Sequence, residues 1–160
     1  MTDFFKPLKL LANDEDGLQL ISTYLQDSLF PIMSFTYDQE TKIFNCLINR
    51  FCWEHVDDHP KHGTYHRVHS GLCFATVIGV HKRGFHQASP HRMHTVLMIS
   101  CHKTKHGTIN IHILFSGNKE LRLEAESLQC TVTDDRHPWP THKKPMHLHE
   151  HLQELHQGRS

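Results

Sequence analysis

The residues of this chain with the greatest capacity for chemistry are its 18 histidines. His147, His149 and His151 form an HxHxH run. Neutral imidazole is a common ligand for zinc, nickel and copper, and close spacing raises the local concentration of ligand. Three rings spaced by two residues face one side only in an extended segment, because on a helix each step of two turns them by about 200°. We therefore expect no dedicated cofactor, and only adventitious nickel, copper or zinc on this histidine-rich tail.

A second candidate site lies between Asn49 and Glu54, the six residues richest in reactive side chains. Arg50 and Glu54 are placed to bind a polar ligand beside Trp53. The alternative is an ion pair between Arg50 and Glu54 that covers the indole. An enzyme would use Arg50, Glu54 or His69 in a cleft.

No recognised catalytic motif accompanies these residues. The sequence has no HExxH metal motif, glycine-rich phosphate loop, nucleophile elbow or dinucleotide fingerprint. The five cysteines are odd in number and widely spaced, which is typical of small buried residues in a reducing compartment and not of a disulfide framework. The sequence therefore favours a non-enzymatic protein.

The charge balance narrows the classes of partner. Lysine plus arginine and aspartate plus glutamate both number 17, which is unlike a dedicated nucleic-acid binder. No apolar run approaches the ~20 residues that cross a bilayer, and the first residues do not resemble a secretory signal. We expect a cytoplasmic protein with no membrane or nucleic-acid partner.

The elements that position these residues are mainly strands. From Gly107 to Ala125, apolar and polar residues alternate on both sides of the turn Ser116–Lys119, which predicts an antiparallel hairpin. Similar runs predict strands at 33–37, 43–53, 67–81 and 94–101. The apolar phase shifts at Glu126–Ser127, which indicates a bulge or a bend into another strand.

One helix is predicted near the start of the chain, from Asp14 to about Asp27. Asp14 is a suitable N-cap, acidic residues occupy the first turn, and apolar residues recur at helical spacing. These are Leu18, Ile21, Leu25 and Leu29.

Together these elements predict an α+β fold, mostly antiparallel β, in which the N-terminal helix packs on the sheet. We expect six to eight strands, arranged as a small barrel like that of pleckstrin-homology domains or as a two-sheet sandwich. Residues 1–135 are predicted to form this single domain. Residues 136–160 are predicted to be a polar C-terminal tail containing histidine and proline, with Trp139 as an aromatic anchor to the sheet.

The sequence also resembles a known family. The resemblance covers about residues 8–140 and rests on four segments and Trp139-Pro140. The segments are LKLLANDEDGLQLISTYLQDSL, INRFCWE, LCFATVIGVHKRG and ILFSGNKELRLEAESLQCTVTDD. The family is a domain of unknown function widespread in alphaproteobacteria. The resemblance implies a bacterial cytoplasmic protein but no activity and no site residue, and it departs from the family where histidines replace arginine-rich segments.

Three functions follow as hypotheses. The first, which we favour, is a non-enzymatic protein-binding or scaffolding domain, with a protein partner or a second copy of itself. The second is metal binding or sequestration by the histidine-rich tail. The third is a small enzyme with a site near Arg50, Glu54 and His69.

Overall fold

The computed structural model describes residues 5–31, 34–55, 65–85 and 92–145. Within these ranges the chain forms eleven strands, one α-helix and a 3₁₀ turn at Trp53–His55. In chain order the elements are β1 (Lys9–Ala12), α1 (Glu15–Leu25), β2 (Leu29–Pro31), β3 (Thr36–Asp38), β4 (Ile43–Phe51), β5 (Tyr65–Phe74), β6 (Val77–Arg83), β7 (Met93–Lys103), β8 (Ile109–Phe115), β9 (Lys119–Ala125), β10 (Cys130–Asp134) and β11 (Trp139–Thr141).

The strands form one mixed-length antiparallel sheet in the order β1-β10-β5-β4-β2-β7-β8-β9-β6, with β3 beside β4 and β11 beside β5. The prediction of a mainly antiparallel β fold with one helix is therefore confirmed. The predicted number of six to eight strands is wrong, because the described residues contain eleven. Strands β1, β2 and β11 have only three or four residues, too few to produce a recognisable alternation in the sequence.

The predicted closed barrel is also wrong, because the sheet does not close on itself. Its end strands β1 and β6 do not pair with each other. Strand β2 joins two halves of the sheet, β1-β10-β5-β4 and β7-β8-β9-β6. It pairs with β4 at one residue and with β7 at three. Two hydrogen bonds connect β6 with the hairpin of β3 and β4. The Val77 amide donates to the Lys42 carbonyl (2.8 Å), and the Tyr37 hydroxyl donates to the Val77 carbonyl (2.7 Å).

At two bends the chain passes from one half of the sheet to the other. The run predicted as one strand over 67–81 breaks after Phe74 because Thr76 has a φ of +56°, a left-handed value that ends the extended backbone. After the bend, β6 pairs with β9, and after a second bend at Glu126–Ser127, β10 returns to pair with β5. The bends meet where the Thr76 hydroxyl donates to the Ser127 carbonyl (2.9 Å). The predicted break at Glu126–Ser127 is confirmed.

Helix α1 confirms the helix predicted near the start of the chain, but it ends at Leu25, and Leu29, which was predicted on its apolar face, lies in β2. The Asp14 side chain caps it by accepting from the Gly17 amide (2.7 Å). Leu18, Ile21 and Leu25 are buried against the sheet. Glycine suits position 17 because a Cβ there would crowd the Cβ of Ala12, at a distance of 3.1 Å.

The hairpin of β8 and β9 also has the predicted form. Its register aligns Ile113 with Leu121 and Ile111 with Leu123, and all four side chains are buried. Consecutive left-handed residues, Gly117 (φ +78°) and Asn118 (φ +59°), form the tight turn that this hairpin needs.

His94 is buried in the core with an unusual consequence for acid stability. Its exposed fraction is 2%, it packs edge-on against Phe85 (ring centroids 5.0 Å apart), and its Nε2 has no hydrogen-bond partner among the described residues. Burial, assisted by the nearby charges of Lys119 and Arg92, lowers the pKa of His94 below its ordinary value of 6.5.

We expect this histidine to reduce stability in acid. Below pH 6.5 the unfolded chain binds a proton that the folded chain resists, so the free energy of unfolding falls as the pH drops from 6.5 towards the lower folded-state pKa. His94→Phe removes this contribution, so its loss of stability between pH 7 and pH 5, measured by urea unfolding, is expected to be smaller than that of the natural chain. His81→Phe, at an exposed position, is the control. An equal loss of stability in His94→Phe and in the natural chain would show that His94 does not contribute.

Candidate functional site

Arg50 is the centre of a buried ionic network at the end of β4. Its exposed fraction is 0%, and it donates to two carboxylates. Nη1 and Nη2 donate to the two oxygens of Glu54 (2.9 and 2.7 Å), while Nε and Nη2 donate to the two oxygens of Asp134 (3.1 and 2.7 Å). The Ser70 hydroxyl and the Leu8 amide also donate to Asp134 (2.7 and 2.9 Å). The network therefore ties together β4, β5, β10 and the segment before β1.

The network holds the guanidinium charged. Burial alone would lower the pKa of Arg50, but the hydrogen bonds and charges of Glu54 and Asp134 outweigh it and raise the pKa above its ordinary value. The ion pair of Arg50 and Glu54, one of the two arrangements considered from the sequence, is present. The ligand-binding role of these residues stays a prediction.

Trp53 and His69, the other residues considered for this site, contact different neighbours. The Trp53 indole donates to the Gln26 carbonyl (2.9 Å) and lies edge-on to Phe51, with ring centroids 4.5 Å apart. His69 is exposed on β5 and contacts Trp139 (4.6 Å between centroids), so this tryptophan lies against the sheet as the sequence indicated. The hypothesis of an enzyme needs Arg50, Glu54 or His69 to face a cleft, and it stays a prediction. In this geometry the Arg50 side chain has no exposed surface for a substrate.

All five cysteines are free thiols. Burial raises the pKa of Cys52 to about 12 and raises the pKa values of Cys46 and Cys130 above the ordinary thiol value. A thiol with a raised pKa is a poor nucleophile and a poor metal ligand at neutral pH. These three cysteines therefore serve as small core residues.

The predicted metal ligands His147, His149 and His151 lie outside the described residues, so metal binding by the tail stays a prediction. Within residues 5–31, 34–55, 65–85 and 92–145, no group of three or more histidine, cysteine, aspartate or glutamate side chains is placed to hold a metal.

The outer side of β1, β10, β5 and β4 forms a wide surface that is nearly free of charge. The strand register aligns its side chains in three rows: Lys9–Thr133–Gly71–Leu47, Leu11–Thr131–Cys73–Asn45 and His69–Asn49. We call these ten residues the uncharged face, since Lys9 is its one formally charged member. Leu11 and Leu47 are 70% and 50% exposed. Interface centres are likewise poor in charge, whereas ordinary protein surface is not.

The borders of the uncharged face are polar. On one side, Arg67 donates to the carbonyl of Asn49 (3.1 Å). On the opposite side, a concavity of about 650 Å³ is lined by Leu11, Cys73 and Thr131 and extends to Lys103 and Gly107 in the turn after β7. The face is therefore a shallow apolar and hydroxyl-rich surface with a polar rim, the composition of a protein–protein contact.

The corresponding outer side of β6 and β9 is very different. It carries Arg83, Arg122, Glu120 and Glu124 in adjacent register positions. Arg83 donates to Glu120 (2.9 Å), with 62% of the arginine side chain exposed. The outer side of β6 and β9 is therefore charged, in contrast to the uncharged face.

The chain belongs to a family described as a protein of unknown function (DUF2948), whose model matches residues 8–147. The predicted membership of an uncharacterised domain family is confirmed. No curated protein and no solved structure matches the chain. The family assignment therefore carries no activity or site residue to this chain.

Within the described ranges the chain has no helix that is both long and apolar enough to cross a bilayer.

Proposed function

We propose that this chain is a non-enzymatic protein-binding domain that pairs with a second copy of itself through the uncharged face. The observation that supports the proposal is the contrast between the uncharged face and the outer side of β6 and β9. The ten residues of the face include one formal charge, while the outer side of β6 and β9 presents four. A solvated surface has no need to exclude charge, but a contact surface does.

A second copy is the occupant that fits this chemistry best. In a two-fold contact the same patch meets itself, so a patch rich in like charges repels its twin and an uncharged one does not. Leu11 and Leu47 lie in different rows and on strands at opposite sides of the face. Packed sheets interdigitate about 10 Å apart, so the leucines of one copy would lie over the small Gly71 and Thr133 of the other.

The size of the face indicates a weak dimer. Four strands spaced by about 4.8 Å, with side chains, give roughly 20 Å by 20 Å, or ~400 Å² per copy. Stable complexes bury ~800 Å² per partner, and transient ones bury less. We therefore expect dissociation in the micromolar range or above, and a monomer in dilute solution.

The test is sedimentation equilibrium from about 1 μM to 1 mM protein, with variants of equally exposed leucines. The natural chain is expected to approach twice the mass of one chain at high concentration. Leu47→Lys places an unpaired charge within the contact on each copy, so it is expected to weaken dimerisation by at least tenfold, which is about 1.4 kcal/mol. Leu20→Lys is the matched control, because Leu20 is 53% exposed on α1, away from the face.

The results of this experiment distinguish a second copy of the chain from another protein as the partner of the uncharged face. A natural chain that stays monomeric at every concentration overturns self-association. A dimer that Leu20→Lys disrupts and Leu47→Lys does not overturns the assignment of the face. A monomer that captures another protein through the same face would replace the second copy by that partner and overturn the proposal in its present form.

The proposal extends to a cytoplasmic, scaffolding role without nucleic-acid partners. It is supported by five free thiols, which suit a reducing compartment, and by the net charge of zero. Fractionation of the source cells, followed by detection of the native protein, tests the compartment.

A further inference from the structure

Two histidine side chains on the neighbouring strands β7 and β8 lie close together. His102 on β7 and His112 on β8 are diagonal neighbours in the ladder, because His102 is aligned with Asn110 and His112 with Ser100. Their rings are nearly parallel, with 14° between planes and centroids 5.0 Å apart. The Nδ1 atom of His102 lies 3.2 Å from the Nε2 atom of His112.

The second ring nitrogen of His112 is fixed by a carboxylate. Nδ1 of His112 is hydrogen-bonded to Oε1 of Glu120, and the other oxygen of Glu120 accepts from Arg83. A carboxylate at Nδ1 fixes the orientation of the His112 ring, whose Nε2 faces Nδ1 of His102 at hydrogen-bonding distance.

We propose that His102 Nδ1 and His112 Nε2 form a binding site for a divalent transition metal of the zinc class, with Glu120 as a positioning residue. Metal–nitrogen bonds of about 2.0–2.1 Å place two nitrogens that are 3.2 Å apart at an angle of about 100° around the ion, close to the tetrahedral value. A carboxylate on the distal nitrogen is the usual support of a metal-bound histidine. The ring stacking and the strand ladder hold both imidazoles before the ion arrives, which reduces the entropy lost on binding.

The site supplies two protein ligands and leaves the remaining coordination positions to water. Among the described residues no third metal-binding side chain of the histidine, cysteine, aspartate or glutamate type joins the pair. Arg83 donates a hydrogen bond to Glu120, so it supports the positioning residue and is not itself a ligand. An ion held in this way is open on its outer side, and its two ligands lie outside the uncharged face.

The test uses the full chain with His147→Ala, His149→Ala and His151→Ala, which removes the competing HxHxH run. Zinc chloride is titrated by calorimetry, and the imidazole nitrogens are followed by ¹⁵N NMR. We expect His102 Nδ1 and His112 Nε2 to shift first. His102→Ala and His112→Ala are each expected to weaken zinc binding by more than tenfold, and Glu120→Gln by about tenfold.

His106→Ala is the matched control, because His106 is an exposed histidine in the turn between β7 and β8. It removes one histidine from the same hairpin and is expected to leave the zinc affinity unchanged. Unchanged affinity in His102→Ala, or an equal loss in His106→Ala, would overturn the site. If an alanine variant does not fold, the ring-nitrogen shifts of the unsubstituted pair still decide, and shifts confined to other histidines would overturn it.

Discussion

Arg50→Met is expected to lower the free energy of unfolding by about 3–5 kcal/mol, because it leaves a buried carboxylate without its counter-charge. Asp134, like Arg50, has a side chain with no solvent exposure. After the substitution it keeps the hydrogen bonds from Ser70 and Leu8 but loses both bonds from the guanidinium. Domains of this size are stable by about 5–15 kcal/mol, so the loss is a large fraction of the total. Urea unfolding followed by circular dichroism measures it.

Two further variants identify the cause of this loss. Arg50→Met combined with Asp134→Leu removes both buried charges, and we expect it to recover part of the stability lost by Arg50→Met alone. Glu126→Gln removes the carboxylate of the exposed ion pair with Lys42, whose side chains are 49% and 44% exposed, and is expected to change stability by about 0–1 kcal/mol. If Arg50→Met costs no more than Glu126→Gln, the buried network does not stabilise the fold.

Phe30→Ala is expected to have a similar effect, about 3–5 kcal/mol, through a cavity at the junction of the two halves of the sheet. Phe30 has 0% exposure, lies in the three-residue strand that joins the halves, and packs edge-on against Phe115 at 5.2 Å. Strand β2 has few hydrogen bonds to its neighbours, so the buried ring contributes most of its attachment. Thermal and urea unfolding both measure the loss.

The control for Phe30→Ala is Leu20→Ala, at a position that is 53% exposed. We expect a change within about 0.5 kcal/mol, because little apolar surface leaves a packed environment. Phe30→Leu retains much of the buried volume and is expected to fall between the two. A Phe30→Ala variant as stable as Leu20→Ala would show that the halves do not depend on this ring.

The parts of the fold that the sequence predicted are those in which the information is local. The hairpin of β8 and β9 places Ile113 opposite Leu121, eight residues away, so alternation and turn chemistry were sufficient. The helix was predicted for the same reason, from Asp14 and the spacing of its apolar residues. Strand β2 was missed because a three-residue strand is specified by its neighbours in space and not by its own pattern.

The interactions that the sequence did not predict join distant residues. Asp134 is buried against Arg50, 84 residues away, and no local pattern in the sequence indicates that pairing. The uncharged face was likewise not visible, since Leu11 and Leu47 become parts of one surface only through the pairing of β1 with β10 and β10 with β5. His102 and His112 belong to adjacent strands, but the approach of their ring nitrogens depends on the register.

The most direct test of the uncharged face is an isotope-filtered NOE experiment on an equal mixture of labelled and unlabelled chain at about 1 mM. Self-association through this face predicts contacts between chains at the methyl groups of Leu11, Leu47 and Thr133. It predicts none at Leu20 or Leu97, which are comparably exposed elsewhere. Contacts confined to Leu20 and Leu97, or no contacts between chains at all, would contradict the proposed function.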